Sequence, residues 1–181
     1  MNALIFNGIG LDGKTEGTTA GHIVSYLEKV FAGIPGLDVE TFNLAAADIP
    51  MLHTDFAAIS DSIKEMAAKF KKADIQIWLA PMYHGSMPGA MKNCLDWLEV
   101  TAKDELPYLT NKIVGLICWA DGGQAMLGIN SMDNVAKALR AWVLPYSIPI
   151  VRKDLLEGTE INELYKRKLE KMVYLLHDAK K

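Results

Sequence analysis

Residues 81–97 read Pro81-Met82-Tyr83-His84-Gly85-Ser86-Met87-Pro88-Gly89-Ala90-Met91-Lys92-Asn93-Cys94-Leu95-Asp96-Trp97. They follow the apolar run Ile75 to Ala80, which has the character of a buried strand. They lead into a helix for which Ser86 is the expected N-cap and Pro88 a first-turn residue. The loop between them is short and made of small and aromatic residues. Its backbone N–H groups have no built-in partner and can face a ligand. Gly85 would let the main chain come close to a flat ring, and Met82 and Tyr83 could pack on or beside such a ring.

A second cluster, Gly8-Ile9-Gly10-Leu11-Asp12-Gly13-Lys14-Thr15-Glu16-Gly17-Thr18-Thr19, joins a strand to a helix. Amides and hydroxyls at a helix N-terminus can hold a phosphate group. Thr15, Thr18 and Thr19 supply hydroxyls, and simple helix capping is compatible with that use. Lys14 either adds a charge-assisted hydrogen bond or is merely solvated. The cluster lacks the G-x-x-x-x-G-K-[ST] frame and matches G-x-G-x-x-G only in part. A third cluster, Ala120-Asp121-Gly122-Gly123-Gln124, has an ordinary use as a turn begun by Asp-Gly.

These clusters sit among alternating strands and helices. Strands are expected at Ala3–Asn7, Asp38–Asn43, Ile75–Ala80, Lys112–Ala120 and Tyr146–Val151. Helices are expected at Thr18–Phe31, from Thr54 or Asp55 through Phe70, at Pro88–Thr101, Ser131–Trp142 and Thr159–His177. The apolar residues recur at helical spacing: Phe56, Ile59, Ile63, Met66, Ala67 and Phe70 in the second helix, Met132, Val135, Leu139 and Trp142 in the fourth, and Ile161, Leu164, Tyr165 and Leu169 in the last. Near-continuous apolar strands between amphipathic helices predict an α/β sandwich of three layers around a five-stranded parallel sheet. In the 2-1-3-4-5 order the ligand crevice lies beyond the carboxyl ends of the strands, between strands 1 and 3. Residues 8–19, 81–87 and 120–128 should therefore meet.

Residues 81–97 resemble, nearly position by position, the pattern P-x-Y-[NH]-x-S-x-P-G-x-[LM]-K-N-x-x-D-W of the NADPH-dependent FMN reductase family. This is a flavodoxin-like group that includes quinone, azo-dye and chromate reductases. Ala47-Asp48-Ile49-Pro50-Met51-Leu52-His53-Thr54-Asp55 is similar to the family's loop after strand 2, and Gly122-Gly123 to its glycine pair after strand 4. Gly17-Thr18-Thr19 looks like the end of its phosphate loop, although the early Ser and Arg of that loop are out of register here.

The resemblance implies a flavodoxin-like fold and FMN as cofactor, with NADPH or NADH as reductant and a small-molecule electron acceptor. It implies that Lys14, Thr15, Thr18 and Thr19 lie at the phosphate. Pro81, Met82, Tyr83, His84, Gly85 and Ser86 would contact the ring, with main-chain amides of the last three bonding its carbonyl and N5 region. Ala120, Asp121, Gly122 and Gly123 would lie on its other side. No catalytic side chain is implied, because the cofactor does the chemistry; His84 could still serve as an acid. Residues 48–55 and the helix from Pro88 would lie near the interface of a homodimer or homotetramer.

The 181 residues suffice for a single domain. A net charge of −3 gives no reason to expect nucleic acid or an anionic membrane. It is also less acidic than many flavodoxin electron carriers, the second reading of the sequence; a flavodoxin-like module without flavin is a third. The N-terminus has no signal-type apolar region and no run reaches about 20 apolar residues, so a cytoplasmic protein is expected. Cys94 and Cys118 lie in apolar segments without C-x-x-C spacing, as buried reduced thiols do. The four histidines show no metal-ligand spacing, and no G-x-S-x-G elbow occurs.

Overall fold

A computed structural model describes residues 1–9 and 17–180. In chain order these form β1 (Asn2–Asn7), α1 (Thr19–Ala32), β2 (Asp38–Asn43), α2 (Asp61–Lys72), β3 (Ile75–Pro81), α3 (Gly89–Asp96), β4 (Ile113–Ala120), α4 (Ala125–Ala138), β5 (Trp142–Val143), β6 (Ile148–Val151), β7 (Leu156–Glu157), β8 (Glu160–Ile161) and α5 (Glu163–Ala179). The main sheet is parallel and ordered β2-β1-β3-β4, with β5 and β6 both paired to β4. The fifth strand expected at Tyr146–Val151 is β6, beside the end of β4, and the two-residue β5 pairs with the start of β4. β7 and β8 make a separate antiparallel hairpin.

Side chains alternate across the strands, so β1, β3 and β4 each feed two cores. Leu4, Phe6 and Trp78 face α2, α3 and α4, where Phe6 meets Phe42, Phe70 and Trp78 at ring-centroid distances of 5.7, 5.0 and 6.2 Å. Ala3, Ile5, Ile75 and Ile77 face α1 and α5. Gln76 is buried within the apolar strand. It donates to the Phe70 carbonyl and accepts from Trp78 Nε1, at 2.8 and 2.9 Å. No buried side-chain nitrogen or oxygen among the described residues lacks a partner.

Helix boundaries depart from expectation where a cap or a contact decides them. α2 begins at Asp61, not near Thr54, because Ser60 Oγ accepts from the Ile63 amide. Phe56 precedes it in a short 3₁₀ turn and is exposed. α5 begins at Glu163, where Asn162 Oδ1 accepts from the Tyr165 amide, and Leu164 is 60% exposed instead of facing the core. Pro88, not Ser86, stands at the N-cap of α3.

α4 starts six residues before its expected Ser131 and stops at Ala138. Arg140, at φ 66°, ends it in the left-handed region. The Ala141 amide then reaches back to the Ala136 carbonyl at 3.0 Å. Trp142 consequently lies in β5, 71% exposed, and not on the helix's inner face. Gly128, which made the sequence read as loop, lies inside α4. A Cβ there would come within 2.4 Å of Cys118 Sγ and 3.3 Å of Met82 Cβ. The glycine is what lets α4 approach β4 and the segment after β3 so closely.

The residues after Pro81 are held from the far side as well. Asn93 Nδ2 and Trp97 Nε1 both donate to the Pro50 carbonyl, at 2.8 and 2.7 Å, and Asn93 Oδ1 accepts from the Leu52 amide at 2.8 Å. His53 stands edge-on to Trp97 at 4.9 Å. Lys92 and Asp96 pair one turn apart on the exposed face. Within the Lys-Asn-x-x-Asp-Trp stretch, Asn93 and Trp97 therefore anchor the loop after β2.

Gly128→Ala should destabilise the protein by about 1–3 kcal/mol through overpacking. The loss should shrink when Cys118→Ala is combined with it. Denaturant unfolding of the single and double variants measures the coupling.

Candidate active site

A cleft of about 600 Å³ opens at the carboxyl ends of β1, β3 and β4. Three segments bring its walls together. Ile9, Gly17, Thr18, Thr19 and Ala20 come from the end of β1 and the start of α1. Pro81, Met82 and Tyr83 follow β3. Trp119, Ala120, Asp121, Gly122 and Gln124 follow β4, and Arg152 completes the mouth.

The start of α1 at the cleft is built by capping. Thr18 has extended backbone, and its Oγ1 accepts from the Gly21 amide at 3.1 Å. The Thr19 and Ala20 amides belong to the first turn, where the helix itself offers no acceptor. The loop's origin is held by a buried pair. Asn7 donates to Asn43 Oδ1 at 2.6 Å, and its own Oδ1 accepts from the Ile9 amide at 3.4 Å. Lys14 and Thr15 lie outside the described residues.

The segment after β3 is a tight reversal. Tyr83 and Ser86 exchange backbone hydrogen bonds at 2.9 and 3.0 Å. His84 and Gly85 between them both have positive φ, 48° and 81°. That is the pattern of the mirror-image two-residue hairpin turn, which favours Asn-Gly and related pairs. His84 thus has a backbone reason for its place, since His and Asn are the side chains that tolerate this region best. The Ser86 amide is used within the turn and the Gly85 amide donates to Met82 Sδ at 3.0 Å. Of the three amides expected to face a ligand, only that of His84 donates to no described acceptor. Ser131 Oγ, bonded to the Gly128 carbonyl, accepts from the Met87 amide at 2.8 Å and ties the reversal to α4.

The structure therefore brings Thr18, Thr19, Pro81, Met82, Tyr83, Ala120, Asp121 and Gly122 into one cleft. His84, Gly85 and Ser86 are exposed on its rim, and Gly123 is exposed beside it. Ile9 and Gln124 belong to the loops expected to meet here and Trp119 borders one of them, but none was given a contact, and Arg152 lies outside all three loops. Arg152 Nη2 meets Asp121 Oδ1 at 2.7 Å; nothing local in the sequence signals a pairing across thirty residues. Asp121 is thus one half of an ion pair and not only a turn starter.

The donor set fits a flavin mononucleotide. A capped helix start with threonine hydroxyls and amides suits a dianionic phosphate. A wall of Pro81, Met82, Tyr83 and Trp119 suits a planar ring. Neither cysteine is a nucleophile: burial pushes the thiols of Cys94 and Cys118 up to about 12. No group of His, Cys, Asp or Glu among the described residues could hold a metal, and no described helix is long and apolar enough to cross a membrane.

Comparison with known proteins agrees with this geometry. Residues 1–154 match the NADPH-dependent FMN reductase family. The chain is 27% identical over 142 residues to an NADPH azoreductase of Bacillus sp. (strain OY1-2), covering 78% of this chain and 70% of the relative. It is 29% identical over 119 residues to the FMN-dependent NADPH-azoreductase of Staphylococcus haemolyticus (strain JCSC1435), covering 62% and 59%. The fold superposes on the flavoenzyme NAD(P)H:(acceptor) oxidoreductase FerB of Paracoccus denitrificans with a TM-score of 0.76 at 18% identity, over 98% and 95% of the two chains. It superposes on flavodoxin 1 of Bacillus cereus at 0.62 and 13% identity, over 98% and 97%. The chain belongs to the NADPH-dependent FMN reductase family and is a flavodoxin-like, FMN-dependent NAD(P)H oxidoreductase.

Proposed function

We propose that the cleft between Thr18 and Tyr83 is where this reductase holds FMN, and that the acceptors are small oxidised molecules: quinones, azo or nitro compounds, metal oxyanions or free flavin. One observation carries the placement: a threonine-capped helix start and a wall of flat and apolar side chains line the same cleft. FMN when bound supplies two-electron transfer from NAD(P)H to the acceptor. The chain's own part is to bind and orient. Thr18, Thr19 and the first amides of α1 hold the phosphate. Pro81, Met82, Tyr83 and the backbone at Ala120 and Gly122 hold the ring. The turn at His84-Gly85 fixes the rim, leaving the His84 amide available as a donor. Donor and acceptor would occupy the open side in turn, giving ping-pong kinetics.

We further propose that two copies close over this open side. Met51 (78% exposed), Leu52, Phe56, Tyr83, Met126 and Leu127 are large apolar residues left uncovered by one chain. Soluble monomers usually limit such surface. Cytoplasmic residence is part of the same reading.

The protein as purified should be yellow, and its colour should bleach on anaerobic addition of NADPH. Yellow protein that does not bleach would favour an electron carrier instead. Replacing both Thr18 and Thr19 by Ala should weaken FMN binding by about 1–3 kcal/mol, measured by flavin fluorescence titration; unchanged affinity moves the phosphate elsewhere.

His84→Asn should keep the turn and leave the bleaching rate within about tenfold of wild type, because the position is conformational and supplies no essential group. Gly85→Val should do more damage, since a β-branched residue is strained at φ 81°. Rapid mixing isolates the step; abolished bleaching in FMN-loaded His84→Asn would make the imidazole essential.

Sedimentation should show a dimer or larger, and Met51→Lys with Leu52→Lys should shift it toward a single chain.

A further inference from the structure

We infer that Arg152 is the residue that selects ligands carrying a tetrahedral oxyanion, phosphate or sulfonate, in the open part of the cleft, and that Asp121 occupies it until such a ligand arrives. This rests on the cofactor placement proposed above. Arg152 and Asp121 are the two charged side chains among the described residues lining the cleft. Arg152 Nη2 lies 2.7 Å from Asp121 Oδ1, and the two side chains are 56% and 79% exposed. A contact of that kind is weak and easily opened. Arginine also has four further N–H donors in a fork that fits an oxyanion from a second side.

The two partners differ in how they are held. Arg152 follows β6 directly, at the start of a short 3₁₀ turn, so its backbone is anchored to the sheet. Asp121 precedes Gly122 and Gly123, and a Cβ at Gly123 would meet nothing within 4 Å. The carboxylate can swing away while the guanidinium stays at the mouth. Lys153 and Asp154, both exposed, follow along the chain and offset each other in charge, leaving Arg152 as the cation at the cleft. The oxyanion could belong to the nicotinamide dinucleotide or to the electron acceptor, and equilibrium binding separates the two.

Wild type, Arg152→Gln and Asp121→Asn are prepared as oxidised, FMN-loaded protein. Each is titrated by calorimetry with NADP⁺ against NAD⁺, and with a naphthoquinone sulfonate against the uncharged naphthoquinone. Arg152→Gln should weaken the more anionic member of at least one pair by about tenfold, the loss of a charged hydrogen bond. The other member should stay within about twofold. Asp121→Asn should tighten the same ligand by about threefold, because the competing carboxylate is gone. An effect in the first pair assigns the site to the dinucleotide phosphate, and one in the second to the acceptor; both support the inference.

Opposite signs for the two variants are the signature, since a merely structural clasp would be hurt by either change. Equal effects on charged and uncharged ligands, or effects of the same sign, overturn the inference. So does loss of bound FMN in Arg152→Gln, which would give the guanidinium to the cofactor's own phosphate. A wild type that takes up no FMN overturns the cofactor placement and this inference with it; a yellow wild type whose variants do not discriminate overturns this inference alone.

Discussion

In a parallel sheet covered on both faces the inner strands have their polar backbone satisfied by their neighbours along their length, and the capacity left over lies at the strand ends and the sheet edges. That constraint organises the molecule. β1, β3 and β4 each carry apolar side chains to both cores, so nothing along their length can meet a ligand. Their carboxyl ends run into glycine-rich turns and a helix start whose first amides have no acceptor within the helix. The cleft is therefore where the fold's unmet hydrogen-bonding capacity and its flat apolar side chains coincide.

Precision in the segment after β3 comes from packing behind it. The reversal at Tyr83–Ser86 closes on itself through two backbone hydrogen bonds. It is tied to α4 through the Ser131 hydroxyl, and α4 can be that close because Gly128 has no side chain to meet Cys118 and Met82. On the other flank, Asn93 and Trp97 grip the Pro50 carbonyl. Residues of one contiguous motif thus divide their labour: the first six shape the cleft and its rim, and the later polar ones hold a loop some forty positions earlier in the chain.

The electrostatics are spare. Surface pairs such as Lys92–Asp96 and Lys137–Asp133 span one helical turn in water and contribute little. Arg152–Asp121 differs in place, not in strength, because it stands at the mouth of the cleft and joins the strand beyond β4 to the loop after β4. Weakness is what makes such a pair exchangeable.

The sequence by itself determined the alternation of strands and helices, because apolar periodicity and strand–loop–helix punctuation are local properties; the sheet order and the meeting of three loops were expected from the match of these units to the flavodoxin-like order. It also determined the family, through the unbroken run from Pro81 to Trp97. Tertiary structure decided what depends on distant atoms. The Gly128 of α4 reads locally as a loop residue and makes sense only against Cys118. The inward role expected of Trp142 failed because α4 ends in a left-handed residue, Arg140, that carries no glycine signal. Ser86 looked like a cap, yet its amide and carbonyl are committed to Tyr83. The positive φ of His84 gives that position a conformational role that spacing alone cannot reveal. The ion pair at the mouth joins residues thirty-one apart in number; only the pairing of β6 beside β4 brings them within 2.7 Å.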